Sequence, residues 1–478
     1  MIRYFKHRPA GTALLALTLL LGAGACNFND RLLRAVDPDI INPTDVNSPD
    51  GAEGLRLGVI SRLTTMTGAA PANTEGVWFM SGMLTDEWKS GDTFIQRDET
   101  DKRTIALDNS IVTAGYRYIH RSRIAANQAI DALRKYPPSN AATANAYVAQ
   151  MQFIRGYAEL LSAENFCNGQ PFSDGSSGDI AEGEPLSVDE AFQRAIVSAD
   201  SAIGTIGSAT DAQSKDVLYA ARLVKARALM GLGGAANYAL AKTTVAGIPT
   251  DYAYNVYFSA NTSSNGIWSL NNSARRYVVG DSVDATGVIR NALPFKSAKD
   301  PRVPTATRAT DKSIATNAFD SNTPFVAQKI WLSEGTPPGR EDPIAVVNGI
   351  DARLIEAEVT LFNNDPVGWL AILNALRTGP TQISDGLIVS GMAPLVDPGT
   401  PEARLSLQFR EKAFWTFGRG ERLGDLRRLV RQYKRPQDQV FPVGTFFKGG
   451  EYGTDVNLPV PQAEENNTRF NGCTDRNA

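Results

Sequence analysis

The 478-residue sequence predicts a mainly all-α protein, built of tetratricopeptide-like helical hairpins that carry a large loop-rich lobe. Three observations support this. Apolar residues recur at three- and four-residue spacing over most of 52–240, the same rhythm returns after about 349, and between about 243 and 348 it gives way to Gly, Pro, Asn, Ser and Thr. The composition, 42% hydrophobic and 21% charged, is that of a packed globular chain and excludes disorder over most of the length.

The first segment reads as an address. Met1 to Pro9 carries Arg3, Lys6 and Arg8 with no acid, Ala10 to Ala25 is apolar, and the small residues Ala23-Gly24-Ala25 stand directly before Cys26. Residues 1–25 therefore have the n-region, h-region and cleavage site of a signal peptide. Their apolar stretch is shorter than the ~20 residues a spanning helix needs, which favours export over a permanent span. The approach to Cys26 resembles a bacterial lipobox, with Ala23 where leucine is usual. Lipidation would make Cys26 the first mature residue and hold the protein on a membrane, and ordinary secretion is the alternative. Without residues 1–25 the chain keeps 45 basic and 51 acidic residues, a formal charge of −6. That balance, with Lys and Arg spread along the chain, gives no footprint for nucleic acid.

His7 and His120 are the histidines, and Cys26, Cys167 and Cys473 lie far apart, so no CxxC pair or HExxH helix can be written. Zinc, haem and other cofactors are not expected. In an oxidising compartment Cys167 and Cys473 are left to form one disulfide, with two free thiols as the alternative. Both stand in polar, turn-like contexts of the kind found at surfaces.

Residues 26–50 read as a tether, since Asp37-Pro38, Asn42-Pro43 and Ser48-Pro49 bias their leading residues away from helix. Residues 51–478 then read as one domain. Within it, Tyr147, Met151, Ile154, Tyr157, Ala158 and Leu161 share one helical face, and comparable periods cover about 113–135, 188–206, 213–231 and 235–242. Ala226, Leu229, Gly231, Tyr238 and Ala241 fall where a tetratricopeptide hairpin needs small and aromatic residues, and the rhythm repeats over Ala352 to Arg377. Helix is expected at about 349–377 and 401–434, followed by an extended tail from Phe441.

Several patterns reduce to structure. Gly231-Leu232-Gly233-Gly234-Ala235-Ala236 fits GxGxxA but follows a helix rather than a strand, so it reads as a helix stop. His120 stands among arginines, as on a solvated face. No GxSxG elbow or P-loop occurs, and adjacent acids such as Asp86-Glu87 do not make a glycosidase. The run Arg419, Arg422, Arg427, Arg428, Arg431, Lys434 and Arg435 is interrupted by Glu421 and Asp425. Asp425 lies three residues from both Arg422 and Arg428, which reads as a self-paired helix, with an anion or partner contact as the alternative.

Taken together, several segments resemble the SusD/RagB family of outer-membrane nutrient-uptake lipoproteins. Phe414 to Arg428 looks like the family's Gly-x-Arg-x-x-Asp-Leu-Arg-Arg segment, matched at Gly420, Arg422, Asp425, Leu426, Arg427 and Arg428. Leu458-Pro459-Val460-Pro461, Asp300-Pro301-Arg302, Leu354 to Glu358 and Phe153-x-Arg155-x-Tyr157 add to it. The resemblance implies a helical body with a loop-rich lobe, set at the cell surface as a lid on a SusC-like TonB-dependent outer-membrane transporter. Such a protein captures oligosaccharides or other nutrient oligomers without cleaving them. Sugar rings offer apolar C–H faces, so aromatics in turn-rich contexts are the candidate contacts: Trp88 with Asp86 and Thr93, Trp268 with Asn265, and Trp331. Anchoring of loops in the core is the competing role for each. A tetratricopeptide-type scaffold lipoprotein binding proteins or peptides is the alternative function.

Overall fold

The structure, a computed structural model, describes residues 47–68, 75–174, 181–259, 261, 263–329, 339–384, 387–473 and 478. The expected signal peptide, Cys26 and Trp331 lie outside the described residues.

Helices dominate, and each hairpin starts with a residue suited to cap it. Asn109 opens α4 (Ser110–Lys135), Asn140 opens α5 (Ala141–Asn165), and Ser187 with Glu190 forms a capping box on α6 (Val188–Ile206). Asp211 caps α7 (Ala212–Leu232), which stops at Gly233 and Gly234, both at positive φ, before α8 (Ala235–Val245). The glycine cluster is thus a helix stop. Each such cap contributes about 1 kcal/mol by satisfying an otherwise orphaned amide. Ahead of this run lie α1 (Pro49–Met66), α2 (Val77–Met83) and α3 (Ile95–Asp101). Consecutive helices from α4 to α8 pack side by side, with α1 against α4.

Small residues allow that stacking. Ala191, Ala195, Ala199 and Ala202 line the buried face of α6. A Cβ on Gly156 of α5 would come within 3.1 Å of Ser198, so any larger side chain would push the two helices apart.

The second group begins after the lobe. Asn348 and Asp351 form a capping box on α9 (Gly349–Phe362), Asp365 caps α10 (Pro366–Thr378), and Thr400 caps α11 (Pro401–Trp415). Helix α12 (Arg422–Arg431) follows. The expected continuous helix over 401–434 is therefore corrected. It breaks at 416–421, where Gly418 and Gly420 take positive φ. A Cβ on Gly420 would lie 2.2 Å from the Trp78 ring, so both the conformation and the space demand glycine.

Between the two groups the lobe runs on short strand pairs and turns. Strand β1 (Trp88–Ser90) pairs antiparallel with β3 (Tyr277–Val279), and β2 (Ala253–Val256) with β4 (Ile344–Asn348). These two ladders sew the lobe to the helices. One core draws residues from Ala52 to Val460, and a smaller one around Trp369, Leu373 and Trp415 joins α9, α10 and α11.

The basic motif holds these parts together from within. Asp86 accepts from Arg422 Nε (2.7 Å) and Nη2 (2.9 Å), tying α12 to the residue pair ahead of β1. Arg419 donates to both Asp351 oxygens at 2.8 and 2.7 Å, and Arg427 to the Ala163 and Glu164 carbonyls at the end of α5. Arg428 pairs with Glu358 and reaches the Met230 carbonyl at the end of α7 (3.0 Å). Asp425 pairs with Lys412 at 2.8 Å and with Arg428 at 3.5 Å, whereas Arg422 points elsewhere. The run is structural, and its partners are spread across the whole chain rather than confined to its own helix.

Two surface expectations are corrected. Cys167 is fully buried and bonded to Cys473, because its amide joins the Leu458 carbonyl (3.0 Å) in a contact that brings the tail under the end of α5. His120 is packed between the rings of Tyr116 (4.3 Å) and Phe172 (5.3 Å) instead of facing solvent. Among the described residues no helix is long and apolar enough to cross a membrane, and no group of three or more His, Cys, Asp or Glu is placed to hold a metal ion.

Candidate functional site

Of the five described members of the tryptophan-centred groups, the structure sends three inward. Trp88 is 1% exposed and packs against Phe79, Tyr277 and Phe417, so it offers no face to a ligand. Asp86 is spent on Arg422 and on the Leu293 amide (2.7 Å). Asn265 caps the Trp268 amide (3.1 Å) and donates to the Asp342 carbonyl (2.8 Å). Trp88, Asp86 and Asn265 are anchors of loops. Trp268 is half-buried, and Thr93 is exposed.

Thr93 leads to the face that does present aromatic rings. Following β1, the turn Gly91-Asp92-Thr93-Phe94 enters α3 and meets a second turn around Phe319. Gly91 donates to the Arg276 carbonyl and accepts from the Asp320 amide, both at 2.9 Å, and Phe319 donates to the Arg275 carbonyl (3.0 Å). A Cβ on Gly91 would lie 2.5 Å from Ala318, so glycine is what lets the two turns meet. Phe94 and Phe319 are 40% and 43% exposed, with Ile95 open beside them.

A buried ion cluster sets these rings. Asp92 accepts from Arg276 (2.7 Å) and from Arg97, whose other arm reaches Glu75. The Arg276 guanidinium lies 4.3 Å from the Phe319 ring centre, and that of Arg97 lies 5.4 Å from the Phe94 centre. Each ring therefore rests on a cation held by one shared carboxylate. Lys448 closes the rim, donating to the Asp92 carbonyl (2.6 Å) and Asp98 (2.7 Å) and standing 3.2 Å from Asp320. Burial works to raise the Asp320 pKa, but bonds from Thr323 and Asn322 and the Lys448 charge outweigh it and keep the carboxylate ionised.

Such a face can stack apolar sugar surfaces on two rings while fixed carboxylates and guanidinium groups take hydroxyls. Away from this face, a concavity lies between lobe and helices, lined by Ile267, Gln328, Ile344, Phe414, Trp415 and Phe417. At about 40 Å³ it has room for a few waters and not for a sugar ring.

No family model and no curated protein matches this sequence. Solved structures do. A SusD superfamily protein from Parabacteroides distasonis superposes with a TM-score of 0.61 at 15% identity, covering 88% of this chain and 98% of that one. A SusD-like carbohydrate binding protein from Bacteroides fragilis gives 0.60 at 14%, with the same coverage. A laminarin binding SusD-like protein gives 0.59 at 14%, again over 88% and 98%.

The fold is SusD-like.

On this SusD-like frame, Phe94, Phe319 and Arg276 are the candidate residues that sequence reading passes over. Their only signal is position: Phe94 follows Thr93 in a Gly-Asp-Thr turn, and Phe319 precedes Asp320-Ser321-Asn322. Tryptophan draws attention first, yet its larger apolar area is what draws it into the core.

Proposed function

We propose that this chain is a surface lipoprotein that captures oligosaccharides on the Phe94–Phe319 face and passes them, uncleaved, to a TonB-dependent outer-membrane transporter. In this reading residues 1–25 are the leader, Cys26 carries the lipid, 26–50 are the tether and 51–478 form one receptor domain. The single observation that carries it is the pair of exposed rings braced by buried ion pairs on a SusD-like frame. The carbohydrate-binding and laminarin-binding proteins of the same fold support the ligand class. Thr93 belongs to the face, and Trp268 stays a half-buried candidate.

Calorimetry against a panel of soluble glycans tests it. Phe94→Ala and Phe319→Ala should each weaken binding about tenfold while leaving the far-UV spectrum unchanged. A bound glycan whose affinity ignores both substitutions would move the site elsewhere, and release of shortened products would overturn capture without cleavage.

A further inference from the structure

We infer that the Phe94–Phe319 face selects uncharged glycans and rejects uronate- and sulfate-bearing ones. This rests on the capture reading above and names the substrate class of the same site.

The three cations bracing the two rings are each paired with an acid. Arg97 is divided between Glu75 and Asp92, and its side chain is almost wholly buried. Arg276 keeps part of its side chain in solvent, but the Asp92 carboxylate 2.7 Å away neutralises it. Lys448 has three N–H donors. They face the Asp92 carbonyl, Asp98 and Asp320, so none remains to fork onto a ligand anion. Arg275 instead donates to a neutral group, the Asn317 carbonyl (3.1 Å) beneath the Phe319 turn. Against the three acid-paired cations stand four carboxylates, Glu75, Asp92, Asp98 and Asp320.

An incoming carboxylate or sulfate would therefore have to displace Asp92, which is buried and holds both arginines, or settle beside Asp98 and Asp320 with like charge. Neither route gains a free counter-ion. A hydroxyl meets no such barrier, since it is neutral and can donate to a carboxylate lone pair without disturbing the pairs. The two rings supply the apolar part of the contact for any sugar with an open C–H face. The formal charge of −6 over residues 26–478 adds a field that repels polyanions at long range.

The test is retention of the full mature chain in native gels carrying laminarin, xylan or galactomannan on one side, and polygalacturonate or heparin on the other. The expected result is retention by at least one neutral polymer, lost in the Phe94→Ala/Phe319→Ala double variant. Its affinity should change less than about twofold as NaCl rises tenfold, because no counterions are released. Asp320→Asn, which leaves Lys448 short of one acid, should add weak, salt-sensitive retention by polygalacturonate. Wild-type retention by a polyanion as strong as by any neutral polymer, and steeply salt-dependent, overturns the inference while leaving glycan capture intact. Retention by neutral polymers that survives the double variant removes the face from the account. Retention by none of the polymers overturns capture and the inference together.

Discussion

Glu87 stands between Asp86, which binds Arg422, and Trp88, which fills the core, and it is itself fully buried with one oxygen accepting from the Gly418 amide (3.1 Å). Burial, opposed by that bond, pushes its carboxyl up to about 8 from an ordinary 4.5. Asp101, buried where it accepts from the Ser90 amide (2.7 Å), is likewise pushed up to about 7. A carboxyl that keeps its proton to about pH 8 in the fold but releases it near 4.5 when unfolded favours the unfolded chain as pH rises. Stability should therefore be fully present below about pH 4.5 for this group and decline through about pH 8. Urea titrations at stepped pH check this. Glu87→Gln should remove a loss on the order of 5 kcal/mol between those limits, and a variant with the same pH profile as wild type would contradict it.

At the level of elements, the helices were legible because their apolar stripe repeats every three to four residues and their starts carry Asn, Ser, Asp or Thr. Residues 188–206 were read to the residue for this reason. The break at 416–421 was not legible. Gly418 and Gly420 offer a local stop, but glycine alone does not fix a turn, and it is their positive φ and the packing of Trp78 against Gly420 that make it one. Of the candidate face, the sequence offers Thr93 and not the two rings, because exposure is set by tertiary packing that no local pattern records. The same holds for the pairing of Arg422, which local spacing offered to Asp425 and the fold gives to Asp86. Since Asp86 would be left buried and uncompensated, Arg422→Met should cost about 3–5 kcal/mol in chemical denaturation. A loss below about 1 kcal/mol, the range of an exposed pair, would contradict the clamp assigned to α12.

Across the whole molecule, the Cys167–Cys473 bond closes a loop of 306 residues. Chain-entropy arguments give such a closure up to about 5 kcal/mol, acting on the unfolded state. Cys473→Ser should accordingly lower the denaturation midpoint, and dithiothreitol should lower the wild type to the same value without moving the variant. A wild type indifferent to reductant would show that the bond does not form in solution.

The placement of the motif partners also sets an order of assembly. Asp86, Asp351 and Glu358 emerge from the ribosome well before Arg422, Arg419 and Arg428 do. Until those arginines arrive, the early hairpins can collapse only with stranded acids inside or with those acids held out in water. A polypeptide halted before Phe414 thus lacks its keystone, and its early hairpins are committed to their final shape only once the closing segment has been made.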